Sequence, residues 1–125
     1  MLRSWKAHRA EIIAATIALL LLLPFCGLLF GCGCTLLAGL KHCNIHDPLP
    51  PNCPWCSGSL ASQFLPVIVV SLAAIAGPHT MRKVSGTRHF GRDVAVGLVV
   101  ALLAAFVLAW IYALATGYPD FFLFR

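Results

Sequence analysis

Residues 12–30 read IIAATIALLLLLPFCGLLF, an apolar run with no charged side chain in it. About 20 such residues are what a helix needs to cross the hydrocarbon of a bilayer. Two further runs follow, LASQFLPVIVVSLAAIAG over 60–77 and the segment from Val94 to Thr116. In lipid, backbone N–H and C=O groups must be paired internally, so an isolated apolar run of this length is expected to be helical. Of the 125 residues, 60% are hydrophobic and 10% charged, whereas soluble domains carry roughly a quarter charged residues. A soluble domain this small has too much surface for its core to hide that apolar load. The expected fold is an all-α integral membrane protein, one domain of three transmembrane helices with membrane lipid as its first partner.

The expected boundaries are a helix over 12–31, extended to 40 in the longer alternative, and a Cys/His/Pro-rich loop over 41–59. A second helix over 60–77, a basic turn over 78–93, a third helix over 94–116 and an aromatic tail over 117–125 complete the chain. Pro24 removes a backbone donor inside the first run and predicts a kink. Pro66 suits the first turn of a helix, and Gly77-Pro78 is expected to close the second. The glycine-rich stretch over 31–40, GCGCTLLAGL, either continues the first helix or breaks it. A basic start before an apolar run is also the shape of a secretory signal, and Leu29-Phe30-Gly31-Cys32 resembles a lipoprotein cleavage box. Phe30 is too bulky for that box, so the segment is read as a true first helix.

The formal charge is +5, but the cations lie in short segments between apolar runs. No basic helix or aromatic platform of the kind that binds nucleic acid is present. Arg3, Lys6, Arg9, Arg82, Lys83, Arg88 and Arg92 flank one side of the expected helices, against Lys41 and Arg125 on the other. Lys and Arg stay cytoplasmic. This bias predicts a multi-pass protein of an inner or plasma membrane, with a cytoplasmic N-terminus and basic turn. The Cys/His loop and the C-terminus are then extracytoplasmic.

The loop KHCNIHDPLPPNCPWCSG holds the chemistry. Cys43, His46, Cys53 and Cys56 form the pattern C-x2-H-x6-C-x2-C, two chelating pairs able to close a tetrahedral zinc site. Cys53-Pro54-Trp55-Cys56-Ser57-Gly58 resembles the C-P-x-C-x-G knuckle of zinc-ribbon and rubredoxin-type sites, which implies a structural metal. The competing expectation is disulfide bonding, the default outside the cytoplasm. Cys43 would then pair with Cys53 or Cys56, or Cys32 or Cys34 would join from the helix end, and six cysteines allow fifteen pairings. Two further alternatives use the thiols for chemistry. Cys53-Pro-Trp-Cys56 has the spacing of thioredoxin-like and membrane thiol-redox motifs, which react when the thiol pKa is depressed. Cys26, Cys32 and Cys34 would relay a soft metal such as mercury or copper(I), an arrangement loosely similar to small mercury carriers but without their adjacent Cys-Cys pair. A lone buried cysteine such as Cys26 is otherwise a small apolar packer.

The expected spans contain no histidine for a bis-histidine haem and no charge at mid-membrane for an ion path. Paired carboxylates, phosphate loops and nucleophile elbows are missing as well. Gly97, Ala101, Ala105, Ala109, Ala113 and Gly117 recur at every fourth position, a face of small residues that invites close backbone approach. Trp110, Tyr112 and Tyr118 gather at the far end of that helix like an interfacial belt. From these features the chain is expected to be a small accessory subunit of a larger membrane complex, of respiratory or photosynthetic type, with partner subunits on the Gly97–Ala113 face. Its Cys/His loop would be a clip, and no catalytic residue is assigned. The alternative is a small thiol-based heavy-metal transporter or membrane thiol-redox protein.

Overall fold

The computed structural model describes residues 2–34, 43, 46 and 52–122, with side chains from His8 onward. Among these residues the chain is all-helical. The elements are α1 (Leu2–Phe30), the one-turn α2 (Pro54–Ser57), α3 (Leu60–Ser85) and α4 (Phe90–Thr116). The three long helices have 29, 26 and 27 residues, or about 40 Å each at roughly 1.5 Å per residue. All three are long and apolar enough to cross a membrane. They pack pairwise on one another, α3 and α4 as an antiparallel hairpin with α1 against both.

Side-chain size is sorted as a lipid-facing bundle requires. Ala14, Ala18, Ala74, Ala101, Ala105 and Ala109 are buried between the helices, whereas Leu20, Leu28, Phe64, Leu72, Leu103 and Leu114 point outward. Apolar solvent gives large side chains no reason to hide, so close packing of small residues holds such helices together. Of the period-four stripe expected to face a partner, the members from Gly97 to Ala113 are buried within the chain's own bundle. The sixth, Gly117, lies outside the seam and caps α4 in a left-handed conformation (φ 63°).

Gly97 marks the tightest crossing. A Cβ built there would lie 2.8 Å from the Ala14 Cβ and 2.8 Å from the Ala74 carbonyl oxygen. Gly97→Leu should therefore force the three helices apart. Overpacking of this kind costs about 1–3 kcal/mol, readable as a lower midpoint of thermal unfolding in detergent.

Helix ends differ from expectation for local reasons. The helices run further into the basic turn, leaving only residues 86–89 between α3 and α4. Gly77-Pro78 does not close α3, because the Pro78 ring is buried in the notch over Gly97, and packing of this kind sustains proline within membrane helices. Termination comes at Gly86 (φ 65°), whose N–H donates to the Arg82 carbonyl at 2.9 Å. The first helix stops at Phe30, and residues 31–34 are not helical; the rest of the proposed extension, 35–40, lies outside the described residues. The described part of the tail, residues 117–122, folds back on its own chain. Tyr118 Oη donates to the Phe30 carbonyl at 3.0 Å, and the Phe122 N–H donates to the Leu29 carbonyl at 2.8 Å. Both bonds satisfy carbonyls that the end of α1 leaves unpaired.

At the other end of the bundle the three long helices meet in a charge network, with Glu11 and Asp93 buried and Arg82 largely enclosed between them. Arg82 on α3 donates to Glu11 Oε1 on α1 at 2.6 Å and to Asp93 Oδ2 on α4 at 2.7 Å. These contacts fix the register of the three helices.

Candidate metal centre

All six cysteines of the chain gather at the end of the bundle opposite Arg82. The local sequence explains how. Cys26 lies on the last turns of α1. Beyond Phe30 the pattern Gly31-Cys32-Gly33-Cys34 alternates left-handed glycines (φ 61° and 76°) with cysteines. That alternation turns the backbone back along α1 with both thiols buried and both glycines outside. Gly27 permits the return, because a Cβ there would run into the Cys34 carbonyl oxygen. Gly27→Ala should lift residues 31–34 from the helix and disperse the sulfurs, measured as faster alkylation of Cys32 and Cys34 in a chain of unchanged helicity.

The second half of the site is the knuckle. The Cys53 carbonyl accepts from the Cys56 N–H at 3.1 Å, the Ser57 N–H at 2.9 Å and Ser57 Oγ at 2.7 Å. This closes α2 and turns Cys53 and Cys56 toward α1. Trp55 between them is buried edge-on against Phe30, with ring centroids 5.4 Å apart. Tyr118 and Phe121 pack on Phe30 from the tail at 5.5 and 5.6 Å. These four rings form one aromatic cluster at the thiol end of the bundle, where Cys26, Cys32, Cys34 and Cys53 are buried and Cys56 is half-buried.

Sulfur geometry is compact. Cys26 Sγ lies 3.5 Å from Cys32 Sγ, 3.5 Å from Cys53 Sγ and 4.0 Å from Cys56 Sγ. Cys34 Sγ lies 3.3 Å from Cys32 Sγ and 3.7 Å from Cys56 Sγ. The sulfurs of Cys26, Cys32, Cys34 and Cys56 are all within 4.8 Å of one another. A tetrahedral zinc ion with Zn–S near 2.3 Å sets its ligand sulfurs roughly 3.8 Å apart; four of the six separations here run from 3.3 to 4.0 Å and the other two lie within 4.8 Å, so shifts of about an ångström or less would enclose one. Cys53 lies beside Cys26, Sγ to Sγ 3.5 Å, and Cys43 bonds to Cys34. Burial pushes the Cys34 thiol above its ordinary range, with the bonds to Cys43 and Cys32 adding to the effect. Metal binding at such a thiol must displace its proton.

Of the four ligands expected from sequence, the structure brings Cys53 and Cys56 into this cluster and places Cys43 at its edge. His46 is exposed, its N–H donating to the Cys43 carbonyl at 3.2 Å, and its ring stands outside the four-sulfur group. The knuckle sulfurs meet the end of α1, with Cys26 Sγ 3.5 Å from Cys53 Sγ and 4.0 Å from Cys56 Sγ. No disulfide is formed among the six. The shortest of the separations given above, 3.3 Å, is well beyond the roughly 2.05 Å of an S–S bond. The signal for Cys32 and Cys34 is the GCGC alternation over 31–34, which turns the chain where a helix would have spread the thiols around its circumference.

Comparison with protein-family models, with curated proteins and with solved structures returned no match, so the reading of this centre rests on its own chemistry.

Proposed function

We propose that the protein is a small membrane protein whose thiol cluster holds a soft d10 cation, zinc in the first instance, as a structural clip. The observation that carries this reading is the convergence of Cys26, Cys32, Cys34 and Cys56, from α1, its fold-back and α2, within 4.8 Å. Thiolates select zinc and copper(I) over harder ions, and a closed four-ligand site is structural rather than catalytic. The ion would tie the end of α1 to the chain entering α3. Orientation follows the charge bias: the basic end is cytoplasmic and the thiol end extracytoplasmic. The role as an accessory subunit of a larger complex now draws its support from the apolar exterior of the bundle, not from the Gly97 stripe.

A titration with cobalt(II) in mild detergent tests the site. Tetrathiolate ligation gives strong sulfur-to-cobalt charge-transfer bands that zinc abolishes. Weak bands of an oxygen- or nitrogen-ligated ion alone would overturn it.

A second reading, a thiol-based soft-metal carrier or thiol-redox protein, is favoured by one observation. Cys53 and Cys43 adjoin the four ligands and exceed what one tetrahedral ion uses. A carrier would leave thiols open to alkylation in the native state, whereas a clip would protect them.

A further inference from the structure

At the basic end, two imidazoles converge on the buried carboxylate of Glu11. His8 Nδ1 lies 2.7 Å from Glu11 Oε2, and His79 Nε2 lies 3.3 Å from Glu11 Oε1. The three ligand atoms are within 4.8 Å of one another. They come from two helices far apart in sequence, so the grouping is a product of the fold.

We infer that His8, Glu11 and His79 form a second metal site, a two-histidine, one-carboxylate set for a divalent transition ion such as zinc. Three protein ligands with a fourth position open to solvent is the arrangement of exchangeable rather than structural zinc. The opening is present, because the His8 and His79 side chains are 50% and 49% exposed while Glu11 is 4% exposed. Nitrogen and oxygen ligands at about 2.1 Å from a tetrahedral ion stand roughly 3.4 Å apart. The His79 contact already has that separation, and His8 must draw back from its direct bond by some tenths of an ångström.

Arg82 does not compete for the same role. Ligating carboxylates are themselves held by outer hydrogen bonds. Arg82 Nη1 provides that bond at 2.6 Å and is in turn fixed by Asp93 at 2.7 Å. Asp93 is itself shared between Arg82 and Arg92, whose Nη2 lies 3.8 Å from Oδ1, which leaves Glu11 Oε2 facing His8 with no guanidinium among the described residues bonded to it. The site is independent of the thiol centre, which lies at the opposite end of the three helices and uses none of these residues.

The test is equilibrium dialysis of the full chain in detergent against zinc, followed by elemental analysis. The doubly substituted His8→Gln/His79→Gln chain keeps hydrogen-bond donors toward Glu11 but loses both imidazole ligands. It should hold one zinc fewer per chain than wild type, with the cobalt–thiolate bands unchanged. Cys26→Ser/Cys56→Ser should lose the other ion and keep this one. Equal zinc in wild type and the double-glutamine chain would overturn the inference, whatever the thiols bind. On the unaltered chain, zinc should also protect His8 and His79 from diethyl pyrocarbonate. Modification at the same rate with and without zinc would overturn it even if the variant failed to fold.

Discussion

Arg82→Leu should destabilise the bundle by roughly 3–5 kcal/mol, the usual cost of removing one partner of a buried ion pair. Arg82 is 12% exposed and holds two carboxylates that are 4% and 3% exposed, one on each neighbouring long helix. Without the guanidinium, Glu11 and Asp93 remain buried with no strong cation between them. Arg82→Lys keeps the charge, but a single ammonium cannot reproduce the simultaneous Nε and Nη1 bonds, so its loss should be intermediate. Adding Glu11→Gln and Asp93→Asn to Arg82→Leu should recover part of the stability, since no uncompensated charge is then buried. Unfolding of the four proteins by denaturing detergent, followed by circular dichroism, gives the ranking. A wild-type midpoint for Arg82→Leu would show that the network is not buried as described.

Cys26→Ser should weaken zinc binding by more than the roughly 10- to 100-fold that loss of an outer-shell partner costs. Cys26 touches Cys32, Cys53 and Cys56 and is the only one of the six carried by a long helix. Cys43→Ser, which removes a neighbour of Cys34 rather than one of the four ligands, should fall within that outer-shell range. His46→Ala should leave affinity unchanged. Zinc competition against a chromophoric chelator separates the three. The opposite order, with His46 and Cys43 mattering most, would restore the ligand set written in the loop's own spacing.

The contrast between those two ligand sets shows what a single sequence can convey. Helix number and class were legible in the uncharged runs, because length and hydropathy suffice once lipid is the solvent. The knuckle at Cys53 and Cys56 was legible too, since a C-x2-C turn is local. Its partner was not. Cys26 is 27 residues upstream of Cys53, inside an apolar run where a cysteine reads as packing, and its role depends on a chain reversal at Gly31 and Gly33. The period-four stripe on α4 was visible as a packing face, but spacing carries no information on which helix fills it. The group of Glu11, His8 and His79 is not legible in sequence because His79 lies on α3, far along the chain from the neighbouring His8 and Glu11, and joins them only when α1 packs on α3. Helix ends were missed where a cap decided them, as at Gly86, or where tertiary packing let the helix run through Pro78.

The central claim is that the four sulfurs of Cys26, Cys32, Cys34 and Cys56 act as one metal centre. Elemental analysis of protein purified in mild detergent and dialysed free of weakly held ions, paired with alkylation of its cysteines, tests it most directly. The account predicts one tightly held zinc per chain, with these four cysteines protected until a chelator or denaturant is added. Metal-free protein whose four cysteines alkylate at once, or are recovered as disulfides, would contradict it.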